Sequence, residues 1–347
     1  MKRTLFIITA GFFVTVASLV LSSCTKEGPQ GPAGTNGTNA SATCQQCHNF
    51  SDSITTKIYQ YNASQHASGD VVQRGASGTS CAACHTSQGF NEVVSTGADT
   101  TLAAVPDGAP INCRTCHKIH ETYTTADWGL KTTSPIHPLI DKTATIDLAA
   151  DGNLCARCHQ ARKASPWLTD PKGTDLITIA ASNTRWGPHH GPQSEMLAGM
   201  AAFEMGANAF SSSPHRNTLG CNSCHMSNPQ GKFVGGHTLW MTSTETGDNV
   251  KICNTSGCHS GQKSFDVDGK QTEIKGLYQQ LKVQLATAGV FDTVNMVLKP
   301  GSYKQIQLAV VWNFLLVDAD RSMGVHNYQY AHDMLQAGID YMNSKGL

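Results

Sequence analysis

The chain has 347 residues, of which 39% are hydrophobic and only 14% charged, with 25 basic and 25 acidic side chains. A formal net charge of zero argues against a nucleic-acid binder, which needs a basic surface. The modest apolar content, diluted by 32 glycines, leaves little for a conventional core, so another source of buried apolar surface is expected.

The chain opens with Lys2 and Arg3, an apolar run from Leu5 to Val20, and then Leu21-Ser22-Ser23-Cys24. Residues 1–23 read as a secretory signal whose end matches the lipobox of bacterial lipoproteins, with Cys24 as the lipidated residue. The run is too short and too early to remain as a membrane span. The lipid is therefore expected to be the membrane attachment of an exported protein, on the outer membrane at its periplasmic or cell-surface face. Glycines at 28, 31, 34 and 37 then keep a three-residue period. Residues 24–43 read as lipid anchor plus flexible, extended tether.

From residue 44 to 262 the chain is organised by cysteine. Five segments have two residues between the cysteines and a histidine after the second: Cys44/Cys47/His48, Cys81/Cys84/His85, Cys113/Cys116/His117, Cys155/Cys158/His159 and Cys221/Cys224/His225. A sixth, Cys253/Cys258/His259, has four residues between its cysteines. This is the signature of covalent haem c attachment: two thiols add to the two porphyrin vinyls, and the next residue is carried under the iron as proximal ligand. Zinc sites and disulfide frameworks are the rival readings, and neither needs a histidine after every second cysteine. Twelve of the 13 cysteines are used this way, and the one left over is Cys24. Six haem c groups are expected, serving also as the missing core. Between the motifs the chain is polar and loop-rich, with short helices expected at the motifs. Asp175–Ala180 is a β-branched run, and a Met-rich helix is expected from about Ser194 to Phe210.

Residues 263–347 carry no cysteine and turn helical. Ile274, Leu277, Leu281 and Leu285 line one face of a helix over 273–288. The segment 303–318 is apolar all round, which predicts burial or an interface, including a dimer face around Trp312. Asn327 is placed to cap a last helix running to Ser344. The fold class expected is mainly α with extensive irregular loops, haems as core and long C-terminal helices.

The second axial position of each iron decides function: a second histidine suits electron transfer, and an open position allows a substrate to bind. Of 15 histidines, nine lie outside the motifs. Several of their contexts resemble a family. The segments 187–193 (Gly-Pro-His-His-Gly-Pro-Gln), Ser213-Pro214-His215, Gly235-Gly236-His237-Thr238 and Cys258-His259 resemble multihaem cytochromes of the cytochrome c nitrite reductase and c3-like superfamily. Asp320–Asn327 resembles the loop between the last two long helices of the ammonia-forming nitrite reductases. The resemblance covers roughly the second half of the chain. It implies His215, His237 and His326 as distal ligands. One of His189 and His190 is a fourth, with His189 favoured because it follows Pro188. His66 looks like the Ser-x-His segments that supply distal ligands elsewhere. His120, three residues past His117, matches a related CxxCHxxH pattern, with His137 its competitor. His332, inside the last helix, reads as packing or surface.

The leading expectation is an electron-transfer protein, with redox donor and acceptor as partners and a homo-oligomer through the C-terminal helices as a further possibility. The competing class is a reductase of nitrite, hydroxylamine or a sulfur oxyanion. Its relatives usually replace the catalytic motif histidine by lysine, whereas all six motifs here end in histidine. Arg114, Arg185, Tyr123 and His137 would also have to converge over an open iron. A subunit of a cytochrome filament is a third reading, weakened by the lipid anchor.

Overall fold

The computed structural model describes residues 48, 52–68, 73–75, 77–149, 151–205, 213–230, 233–255 and 257–346. The signal, Cys24, the tether, Cys44 and Cys47 lie outside the described residues. His48 belongs to a short unit, 1–48, while residues 49–347 form a second compact unit, to which everything below refers. No helix among the described residues is long and apolar enough to cross a membrane.

The first helix, α1 (Asp52–Asn62), is followed by a 3-10 turn, Gln65–Ala67. Each two-spaced motif in this unit then contributes to a short helix, which ends at or beside its histidine in all but the fourth, where it stops at Ala156 ahead of His159. These are α2 (Thr79–His85), α4 (Cys113–Cys116), α5 (Asn153–Ala156) and α8 (Cys221–His225). Between the first two lies α3 (Ser87–Thr96), and ahead of α8 come α6 (Gln193–Ala198) and α7 (His215–Thr218). The breaks are local. Thr86 is extended at the end of α2, and its hydroxyl accepts from the Gly89 amide to start α3. Asn112 and Thr115 form a reciprocal capping box on α4. The sixth motif makes no helix; Asn254 ties its looser loop by bonding the Gln262 amide and carbonyl.

The β-branched run forms β1 (Leu176–Ile179), paired antiparallel with β6 (Gly301–Lys304). Two small antiparallel pairs complete the strands among the described residues: β2 (Thr242–Ser243) with β3 (Gly247–Asp248), and β4 (Phe291–Asp292) with β5 (Val297–Leu298).

The apolar core lies in the C-terminal part, among α9 (Lys270–Thr287), α10 (Gln305–Asp320) and α11 (Tyr328–Asn343). It is completed by Ile140, Ala161, Leu168, Ile179, Trp186 and Met196 from the motif-bearing region. Phe314 sits at its centre, stacked on Tyr278 at 4.8 Å and edge-on to Phe291 at 5.4 Å. Trp312, considered above as a dimer face, has 0% exposure and packs against Trp167, Trp186 and Phe203. A smaller cluster around Ile136, Ile146 and Leu148 serves the motif region.

The expected helix over 194–210 is not formed at that length. It ends at Ala198, with Gly199 left-handed at φ 69°. Its methionines gave the right apolar content but the wrong conformation, because side chains of the C-terminal helices take the backbone groups a helix would use. Tyr330 Oη accepts from the Ala202 amide and donates to the Met200 carbonyl. Trp312 Nε1 donates to the Ala201 carbonyl, and Asn313 bonds both the amide and the carbonyl of Phe203. Residues 206–210 lie outside the described residues.

Candidate functional site

The motif histidines of residues 49–347 do not stand alone. His85 faces His189 at a ring-centroid distance of 6.3 Å, and His117 faces His237 at 6.3 Å. His159 faces His66 at 6.1 Å, His225 faces His326 at 6.3 Å, and His259 faces His215 at 6.4 Å. An imidazole nitrogen binds a first-row metal at about 2 Å, with the ring centre roughly 1.1 Å behind it, so two rings bracketing one iron have centroids about 6.3 Å apart. Two imidazoles in direct hydrogen-bonded contact would sit closer. The spacing, the two thiols beside each motif histidine and the imidazole donors together fit a six-coordinate haem c at each pair.

Each ring that faces a motif histidine is delivered by a turn rather than a long element. His66 lies in the 3-10 turn after α1, and His189 is left-handed at φ 69° after Pro188. His215 begins α7. His237 sits in the turn Gly236–Thr238, with its amide donating to Gln60 Oε1 at 3.0 Å. Gly236 is required there: its φ is +56°, and a Cβ would lie 2.5 Å from that same Gln60 oxygen. His326 lies in the loop between α10 and α11.

The other ring nitrogen of several paired histidines is also fixed, which sets the tautomer a ligand needs. His117 Nδ1 meets the Trp128 carbonyl at 2.7 Å and His225 Nδ1 the Leu239 carbonyl at 2.8 Å. His159 Nδ1 meets Gln193 Oε1 at 3.0 Å, and His326 Nδ1 meets Asp320 Oδ1 at 2.6 Å. The residue pattern did not single out these orienting groups. Gln193 and Asp320 were within the quoted segments, but their role depends on the tertiary fold.

Burial holds most of these rings neutral, as metal binding requires. His66 and His189 are each lowered to about 4, chiefly by burial and then by neighbouring positive or imidazole groups. His85, His159, His215, His225 and His237 move the same way for the same leading reason. His326 is the exception. Burial lowers it too, but the Asp320 carboxylate outweighs that and raises it.

The motifs lie against one another. Cys84 Sγ meets the Arg157 carbonyl at 3.9 Å, placing the second motif against the fourth, and Cys221 Sγ meets the Gly152 carbonyl at 3.8 Å, placing the fifth against the turn that opens α5. Burial pushes Cys116 up to about 12, with Cys155 adding to it, and Cys224 is raised by burial and by Cys253. The fourth motif thus neighbours the second, third and fifth, and the fifth neighbours the sixth. A cleft lined by His66, Cys84, His85 and Ile111 opens beside the second motif.

The other histidines lie elsewhere. His120 is exposed, left-handed at φ 66°, and stacked on Tyr123 at 5.4 Å. It enters none of the five pairs. His137 is exposed, with Nδ1 on the Ala144 carbonyl at 2.9 Å. His190 lies 5.8 Å from His189, and it is His189 that faces His85. His332 packs beside Tyr328 and lies 3.7 Å from Glu273.

The crystal structure of the outer cell wall cytochrome OcwA superposes with a TM-score of 0.52 at 18% identity, covering 82% of this chain and 50% of its own. The chain has the fold of a multihaem cytochrome. An undecahaem cytochrome from the S-layer of Carboxydothermus ferrireducens matches at 17% identity with a TM-score of 0.46, covering 88% of this chain and 45% of its own. The chain thus spans about half the length of these two cytochromes. No family model and no curated protein matches it.

Proposed function

We propose that the chain is a hexahaem c-type cytochrome that passes electrons through closely packed bis-histidine haems, linking a membrane-side donor to a periplasmic or external acceptor. The observation that carries this reading is the set of five motif histidines, each facing a second histidine across the width of one iron. When bound, haem would supply the one-electron chemistry; the motif cysteines would attach it and the paired histidines would hold its iron. A filled second position favours electron transfer over substrate binding at iron. The thiol contacts between motifs favour short hops: the second and third sites would each adjoin the fourth, which leads through the fifth to the sixth. His48 would carry the remaining haem, and His120 stays a proposed distal ligand of a neighbouring haem. Lipid on Cys24 would hold the protein at the outer membrane, a setting in keeping with the fold it shares with an outer cell wall cytochrome.

The test is low-temperature EPR of the oxidised full-length holoprotein, quantified against haem content, with carbon monoxide added after reduction. Low-spin signals alone and no carbon monoxide adduct are expected. A high-spin signal worth one haem or more would leave an iron open and turn the reading towards a reductase.

A further inference from the structure

Among the orienting contacts described above, one stands apart. The Nδ1 partners of His117, His225 and His159 are neutral: two backbone carbonyls and the Gln193 amide oxygen. The partner of His326 is the carboxylate of Asp320, whose side chain has 0% exposure. Its Oδ1 lies 2.6 Å from Nδ1, while Oδ2 accepts from Ser322 Oγ at 2.5 Å and the Ser322 amide at 3.3 Å. Among the described residues, no lysine or arginine forms an ion pair with this carboxylate. The arrangement is built by the loop itself. Arg321, Met323 and Gly324 all have positive φ, which curls the chain until residue 326 returns to residue 320. The His326 amide then donates to Ser322 Oγ at 3.2 Å.

An imidazole that ligates through Nε2 and donates Nδ1–H to a buried carboxylate acquires imidazolate character and becomes a stronger donor to the metal. A stronger anionic field at a ligand favours the ferric over the ferrous state, and low local dielectric enlarges the effect. A backbone carbonyl or an amide oxygen pulls on Nδ1–H more weakly. We infer that Asp320 makes the haem held by His225 and His326 the lowest-potential centre of the chain, the last to accept an electron on reduction. The inference rests on the proposed ligation by that pair. It assigns Asp320 as a positioning and tuning residue, and Ser322 as a group that moderates it by hydrogen-bonding the same carboxylate.

The test is a spectroelectrochemical titration of full-length holoprotein, comparing the natural chain with Asp320→Asn, Ser322→Ala and His326→Ala. Asparagine can still accept from Nδ1–H and donate to Ser322 Oγ, losing only the long contact from the Ser322 amide, so the ring's orientation is kept and charge is removed. In Asp320→Asn the lowest wave, one haem of six, is expected to move to higher potential with haem content and low-spin state unchanged. In Ser322→Ala the same wave is expected to move to lower potential, because the carboxylate loses a donor. A purely structural role would not produce opposite shifts in these two variants. An unmoved lowest wave in Asp320→Asn, or shifts of the same sign in both variants, would overturn the inference. If Asp320→Asn does not accumulate as holoprotein, Ser322→Ala decides alone: a downward shift supports the inference and no shift defeats it. His326→Ala tests the underlying ligation separately. One haem should become high-spin, and a spectrum that stays wholly low-spin would remove the ligand assignment itself.

Discussion

Glu195 offers a test of the fold that needs no assumption about redox chemistry. Its residue has 0% exposure, and its carboxyl accepts from the Ala161 amide at 2.9 Å and from Ser194 Oγ at 2.8 Å. Among the described residues no cation is paired with it. Burial pushes it from 4.5 up to about 7, against the pull of those two hydrogen bonds. The unfolded chain binds fewer protons than the folded one between these values, so stability falls as pH rises through this window. Below about pH 4.5 both states are protonated and nothing is lost; above about pH 7 both are ionised and the loss is complete. At about 1.4 kcal/mol per pKa unit, the loss between pH 5 and pH 8 is on the order of 2.5 kcal/mol. Glu195→Gln keeps the acceptor for Ala161 and turns the second contact into a donor to Ser194 Oγ, while abolishing ionisation. Thermal unfolding midpoints of the natural and Glu195→Gln holoproteins should nearly coincide at pH 5, with the variant pulling ahead by several degrees at pH 8. Two midpoint curves that run parallel across that range would refute the argument.

Two further outcomes probe the C-terminal core. Trp312→Ala removes a ring with 0% exposure and strands the Ala201 carbonyl, which should cost about 3–5 kcal/mol in denaturant unfolding; a loss below about 1 kcal/mol would mean the site collapses freely. Glycine-to-alanine substitutions should split by position. At Gly276 an added Cβ meets nothing within 4 Å, so Gly276→Ala in α9 should stabilise by about 0.5–1 kcal/mol. At Gly338 it would lie 2.9 Å from Leu281 Cδ2 and 3.1 Å from Val310 Cγ1, so Gly338→Ala should destabilise by about 1 kcal/mol or more. Equal signs in the two would contradict the packing of α9, α10 and α11.

What could be read in the residues depended on the range of the interaction. Covalent haem attachment would impose a local spacing, which is why a run such as Cys221 to His225 stands out in the sequence. The C-terminal helices were legible through periodicity: the apolar face at 274, 277, 281 and 285 lies on α9, and Asn327 does accept from the Tyr330 amide at the start of α11. Strand β1 was visible as a β-branched run, but its partner β6, more than 100 residues away, was not. Which spare histidine faces which motif was likewise out of reach, because the pairs join distant positions: His66 meets His159, and His189 meets His85. The 199–205 segment was misread for a related reason. Its backbone bonds are made by Trp312, Asn313 and Tyr330, and no local pattern announces a partner that far along the chain.

The helix that looked simply apolar, α10, explains how these distant segments are held in register. Three of its five polar residues are buried: Gln305, Asn313 and Asp320 are at most 4% exposed. At about 100° per residue the three fall within roughly 80° of arc, with Trp312 on the same side. Gln305 Oε1 accepts from the Thr169 and Asp170 amides at 2.7 and 2.9 Å. Trp312 and Asn313 then bind residues 201 and 203. At the helix end, Gln193 Nε2 donates to the carbonyls of Ala319 and Asp320, while its Oε1 meets His159. Apolar burial alone would let α10 slide or rotate against the segment it covers, whereas unpaired polar groups would make each wrong register costly. The end of this stripe fixes Gln193 beside His159 and Asp320 beside His326. The best-packed part of the chain thereby sets the orientation of one ring at the fourth site and one at the fifth, in the region that has the smaller apolar core of its own.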